Sequence, residues 1–207
     1  AAKARKLDEV LDQIVLFATD KDTKELAESM GLKVFFDPEI FGYMPKAAAR
    51  QYADPTFTKM MMAKVYCVQL VVMLGYNVLF QDVDIVWYKN PLPYFLNETS
   101  KISPNSPSTK TTPKYDVYFQ DDGNHALYYS PYSANTGFYF IHHNDRTRLF
   151  FNAMLLSGDL ILMTHSHQVA LIALLNEHAS MYGLRVKILS RDTDTHPGGY
   201  HFHNRFP

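Results

Sequence analysis

One stretch constrains this chain more than any other: Gly75-Tyr-Asn-Val-Leu-Phe-Gln-Asp82-Val-Asp84-Ile-Val-Trp87-Tyr-Lys-Asn-Pro91. It reads as an apolar strand, two carboxylates one residue apart, and a second apolar strand closed by Asn90-Pro91. In extended chain, residues i and i+2 point the same way. Asp82 and Asp84 at the end of a buried strand would therefore make a hard-oxygen site suited to a divalent cation carrying phosphates. An unpaired carboxylate beside apolar strands is costly to desolvate, so a cation is a sensible partner. Ligands of open α/β sheets bind at the carboxyl ends of strands, where this pair falls. The plainer alternative is a solvated turn.

The surrounding pattern is that of an α/β protein. Ile14 to Ala18 is an apolar run, and the Asp22 to Glu25 spacing resembles a capping box opening a helix that Gly31 closes. Leu32 to Phe36 returns to β-prone residues, giving a strand–helix–strand unit of the parallel-sheet kind. Ala1 to Gln13 reads as the tail of a helix whose preceding strand is missing. Thr58 to Leu74 is apolar nearly all round, so a buried helix is expected. Strands are expected at Asn77 to Phe80, Tyr115 to Phe119, Thr136 to Ile141 and Arg185 to Leu189. Helices are expected at Asp145 to Leu156 and Ser166 to His178. Residues 97–114 hold three Pro, four Ser, four Thr and no aromatic, and read as a mobile loop inserted into a single domain covering residues 1–207.

Composition removes several function classes. A net charge of −1 provides no global basic field for nucleic acid. No run of apolar residues is long enough to span a bilayer, so no membrane contact is expected of this stretch. The single cysteine, Cys67, excludes an internal disulfide and any cysteine-rich zinc module. It lies in an apolar run and reads as a small buried hydrophobe.

Secondary motifs fall around the acid pair. In Asn135-Thr-Gly137, glycine lets a ligand approach the backbone, and the Asn amide can donate to and accept from ligand hydroxyls. Its plain reading is a bulge. Asp121-Asp122-Gly123 ends a strand; Asp122 could hold acceptor hydroxyls or stabilise developing positive charge, or simply sit in a solvated turn. Of the nine His, the pairs His165/His167 and His142/His143 and the trio His196, His201 and His203 invite a metal reading. Structural or surface roles suit most of them better. Asn97-Glu-Thr99 is a glycosylation sequon that leans toward a secretory compartment.

The Asp82-Val-Asp84 string also fits haloacid-dehalogenase-like phosphatases, with Asp82 as nucleophile. Those enzymes carry the motif on their first strand, whereas at least two strand units precede it here. A non-catalytic glycan- or nucleotide-sugar-binding module, keeping Asn135 and the aromatics without metal, is a further alternative.

Taken together, "GYNVLFQDVDIVWYKNPLPYF", "SANTGFYFI" and "SHQVALIALLNEH" resemble the nucleotide-diphospho-sugar transferase family. That family includes plant rhamnogalacturonan xylosyltransferases and related arabinosyl- and galactosyltransferases. The resemblance covers most of residues 14 to 203 and is most specific at the Asp-x-Asp block. It implies a GT-A fold with a mixed, mainly parallel sheet flanked by helices. It also implies a UDP-sugar donor, a glycan or glycoprotein acceptor, Mn²⁺ (or Mg²⁺) on Asp82 and Asp84, and retention at the anomeric carbon. A membrane-anchored full-length protein in the Golgi or secretory lumen would be usual. By the same resemblance Asp82 and Asp84 contact ribose and metal–diphosphate, Asn135 and Gly137 lie near the donor sugar, and Lys64 is the basic residue of the preceding helix. Gln168 matches the second residue of the family's Asp-Gln pair, with His167 standing where the Asp would be. The family's terminal His block would follow Phe206-Pro207, so truncation at both ends is expected.

Overall fold

The computed structural model describes residues 7–44, 49–51, 54–87, 90–97, 99–100, 112–123 and 131–189. A short helix α1 (Asp8–Leu11) leads into β1 (Val15–Phe17), α2 (Lys21–Ser29) and β2 (Lys33–Phe35). The two strands pair in parallel, Val15 opposite Lys33 and Phe17 opposite Phe35. The start of α2 differs from the expected box. Asp20 is the cap, its carboxylate accepting from the Thr23 N–H at 2.7 Å. Asp20 has the extended backbone a cap requires, and Asp22 lies in the first turn. Gly31, at φ 77°, takes the left-handed position beyond the helix end.

The one-turn helix α3 (Pro38–Phe41) precedes α4 (Pro55–Met73), which begins earlier than the apolar pattern implies. Asp54 accepts from the Phe57 N–H at 2.6 Å and Pro55 occupies the first turn, so the start is set by cap chemistry. The helix is buried on two sides, as its composition predicts. Met61, Val65, Val68 and Val72 enter the main core, while Ala63 and Cys67 pack with Phe41, flanked by Phe17 and Phe36. α4 thus joins the β1–α2–β2 unit to the rest of the molecule. Desolvation pushes the Cys67 thiol up to about 12, so it is an inert core residue.

The chain continues through β3 (Val78–Gln81), α5 (Leu92–Asn97), and β4 (Thr99–Ser100) paired antiparallel with β5 (Thr112–Pro113). Residues 98 and 101–111 of the expected 97–114 loop lie outside the described residues. Then follow β6 (Val117–Asp121), β7 (Ala134–Ile141), α6 (Asp145–Leu156), α7 (Gly158–Thr164), α8 (His167–Met181) and β8 (Val186–Leu189). The four-stranded sheet has the order β3-β7-β6-β8. β7 is antiparallel to both neighbours and β8 is parallel to β6. The fold is therefore the expected mixed α/β type, with parallel pairing at β1–β2 and β6–β8, but the four-stranded sheet is not mainly parallel as expected, because β7 runs antiparallel to both β3 and β6. No strand follows Asp84 over residues 85–87: the Ile85 N–H returns to the Asp82 carbonyl at 3.3 Å and the chain turns.

Period-two alternation buries both sheet faces. Val117, Phe119, Tyr139 and Ile141 face the helices with Phe150, Phe151 and Leu171. Tyr118, Phe138 and Phe140 pack the other face around Phe95, which stacks on Phe140 at 4.7 Å. This doubly covered sheet accounts for much of the aromatic content. At one end Asp116, fully buried, accepts from Arg185 at 2.6 Å and Arg146 at 2.9 Å. Burial would raise its pKa, but the two guanidinium groups overcome this and hold the carboxyl well below the usual carboxylate range.

Candidate functional site

The opposite end of the same strands gathers most of the residues singled out in the sequence. β3 runs out at Gln81, and the Asp82 N–H donates to the Gly137 carbonyl at 2.8 Å, fixing Asp82 against β7. Its Oδ1 lies 2.6 Å from Lys64 Nζ, reaching over from α4; both side chains are about one-third exposed or less. Lys64 is thus an ion-pair partner of the acid motif. Asp84 stands apart. The turn at 82–85 removes the extended geometry that would align the two acids, and leaves Asp84 exposed.

β7 changes register beside Asp82. Phe119 pairs with Tyr139 and Gln120 with Asn135, so Thr136 to Phe138 have no counterpart on β6. This wide bulge turns Asn135 and Gly137 toward the acid. Space, not backbone torsion, requires glycine here: a Cβ at Gly137 would stand 2.9 Å from Asn135 Oδ1 and 3.1 Å from Asp82 Oδ2. The Asn135 amide is fully oriented. Its Nδ2 donates to Asp122 Oδ1 at 2.9 Å, and its Oδ1 accepts from the Gly137 N–H at 2.7 Å. Asp122 is itself placed by its N–H, bonded to the Ser133 carbonyl at 2.8 Å.

The third wall is the start of α8. Gln168 Oε1 accepts from the Thr136 N–H at 3.0 Å and from its hydroxyl at 3.1 Å. With the acceptor engaged, Nε2 is the amide's remaining hydrogen-bonding group. Lys64, Asp82, Gly137, Asn135, Asp122 and Gln168 therefore converge from α4, β3, β7, β6 and α8. Thr136 was not singled out in the sequence; its place between Asn135 and Gly137 is its signal.

The histidines divide. His165 ends α7 in the left-handed conformation, φ 54°, and is exposed. His167, at the start of α8, is 4% exposed with neither ring nitrogen bonded. Burial, then the Lys64 charge, lowers its pKa to about 3, so the ring is neutral. Leaving such groups unpaired costs roughly 1–3 kcal/mol each. His142 is buried edge-on to Phe140, and His143 N–H bonds to Asn77 on a different side. His196, His201 and His203 lie outside the described residues. Among those residues no group of three or more His, Cys, Asp or Glu side chains could hold a metal by itself. Asp82 and Asp84 offer the hard oxygen donors that Mn²⁺ or Mg²⁺ takes beside phosphate oxygens, but the turn between them does not bring the two carboxylates together.

The family model described as nucleotide-diphospho-sugar transferase matches residues 9–200. The chain belongs to the nucleotide-diphospho-sugar transferase family. The chain is 38% identical over 79 residues to the beta-arabinofuranosyltransferase RAY1 of Arabidopsis thaliana, a match covering 37% of the chain and 14% of the relative. It is 46% identical over 43 residues to the arabinosyltransferase XEG113 of the same plant, covering 21% of the chain and 7% of the relative. The matched stretches are thus a small part of the length of either relative. No solved structure matches significantly. No helix among the described residues is long and apolar enough to cross a membrane.

Proposed function

We propose that this chain is part of a glycosyltransferase that moves a sugar, arabinose being the one favoured by the relatives' names, from a UDP-sugar to a hydroxyl of a glycan or glycoprotein. The observation that carries this reading is the Lys64–Asp82 pair beside the Gly137 bulge, within a chain of this family. Asp82 and Asp84 would hold Mn²⁺ or Mg²⁺. When bound, the metal supplies positive charge against the diphosphate leaving group. Lys64 adds a second positive charge at the same place. Asn135, oriented by Asp122, and the Gln168 Nε2 position the sugar, while Gly137 keeps the backbone clear for its approach. The Asp122 carboxylate also offers negative charge toward a developing cationic sugar.

Catalysis on this reading is positional and electrostatic, with the donor's configuration retained. A full-length protein in the Golgi or secretory lumen is part of the same proposal. The phosphatase alternative with Asp82 as nucleophile falls with the family assignment. Transfer is tested by incubating the protein with UDP-arabinofuranose, Mn²⁺ and arabinan or glycoprotein acceptors, and following UDP release and acceptor mass. Release that ignores both acceptor and metal would contradict the assignment.

A further inference from the structure

Resting on the lumenal part of that reading, we infer that Asn97 is a modification site, carrying an N-linked glycan on a part of the surface turned away from the acid motif. Of the chain's asparagines, only Asn97 opens an Asn-x-Ser/Thr triplet, Asn97-Glu-Thr99. The attached glycan is bulky and hydrated, so the asparagine that carries it must stay at the surface once the chain has folded. The fold meets that condition. Asn97 is the last residue of α5 and is exposed.

Other asparagines are committed to holding structure together. Asn77 accepts from the His143 N–H at 2.8 Å, and Asn90 from the Leu92 N–H at 3.0 Å. Asn144 caps α6, and Asn135 is bonded through both ends of its amide. Asn97 makes no side-chain hydrogen bond among the described residues. Modifying it therefore breaks nothing that holds these elements in place.

The packing of α5 sets where the glycan points. Phe95 stacks on Phe140, and the His142 ring hydrogen-bonds the Phe95 backbone. The His142 N–H in turn donates to the Asp116 carbonyl at 2.9 Å, which places this contact at the Asp116 end of the sheet. Helix carbonyls point toward the helix C-terminus. The end of α5 therefore leads toward Asp116 and away from Asp82 and Gly137, and a glycan on Asn97 leaves the candidate site open.

In this modification the chain is the acceptor of a glycosyl transfer. Asn97 Nδ2 forms a bond to the anomeric carbon of a lipid-linked oligosaccharyl diphosphate, supplied in the secretory lumen with the transferase that uses it. The bond from that carbon to the diphosphate oxygen breaks, and the lipid diphosphate leaves with the electron pair. The amide gives up one proton, and nothing is oxidised or reduced.

The test expresses the full-length protein through the secretory route of plant cells, with a reporter sequon added in a C-terminal tag. Peptide N-glycosidase A and peptide mass spectrometry then read occupancy. The peptide holding Asn97 should release a glycan and be left with aspartate at that position. Asn97→Gln and Thr99→Ala should each lose the glycan, and Thr99→Ser should keep it. UDP affinity in Mn²⁺ should be the same in all three variants as in the native protein. An occupied reporter beside an unmodified Asn97 would overturn the inference, as would a UDP affinity that falls when the glycan is lost. A reporter and an Asn97 that are both unmodified would defeat the lumenal reading beneath it, and the inference with it.

Discussion

At the scale of single residues, the site is organised by what Gly137 lacks. Two short polar side chains, Asn135 on β7 and Asp82 just beyond β3, come within 3.1 Å of where its Cβ would be. Neither is a flexible chain that swings aside freely. Gly137→Ala is therefore expected to displace both, costing about 1–3 kcal/mol of stability as for other overpacked sites. Its nucleotide-sugar affinity should fall about a hundredfold, since a misplacement of ~1 Å can have that effect. Calorimetry beside urea unfolding checks this; a variant with native affinity would show that the bulge does not position the ligand. The glycine and the Asn were legible in the sequence because Asn-x-Gly at a strand is a recognisable string. The reason for the glycine was not, because the bulge depends on how β7 registers with β6.

Elements were legible where local chemistry and periodicity agree. α6 occupies the expected Asp145 to Leu156 span because Asn144 and Thr147 form a reciprocal capping box. α2 and α4 start elsewhere than expected: Asp20, not Asp22, caps α2, and the Asp54 cap opens α4 ahead of its apolar run. The segment after Asp84 is not the strand its β-prone residues Ile85 to Trp87 suggest, since among the described residues no strand pairs with them.

Asp116 was invisible for a related reason, since its two arginines come from α6 and from the approach to β8. Its folded pKa is depressed, so its stabilisation is fully present above the unfolded value of 3.8 and is lost as pH falls below it. Asp116→Asn is expected to cost on the order of 3 kcal/mol at pH 7, the scale for breaking a buried pair. That deficit should shrink progressively below about pH 4. Urea titrations at several pH values measure it, and a deficit independent of pH would rule out the ion cluster as the cause.

Across the whole molecule, α4 is the element on which two packing units meet. Its Met61–Val72 stripe belongs to the large core, while Ala63 and Cys67 belong to a small cluster under the β1–α2–β2 unit. The smaller cluster has less apolar surface to hold it, so that unit should open before the sheet does. Cys67, the single thiol, reports this directly: labelling by a thiol reagent should proceed faster than global unfolding allows. Labelling that coincides with global unfolding would mean one cooperative unit.

The fold class and the neighbourhood of the site were readable because apolar periodicity places strand ends, and strand ends are where this fold collects polar groups. The Lys64–Asp82 contact was not readable, since it spans two elements whose packing only the folded chain defines. That contact also frames the central claim, that the acid motif binds a metal–diphosphate. Calorimetric titration of UDP with Mn²⁺ and with chelator tests it most directly. The account predicts affinity at least about tenfold higher with Mn²⁺, a gain abolished by Asp82→Ala and by Asp84→Ala. Equal UDP affinity with and without the metal would contradict it.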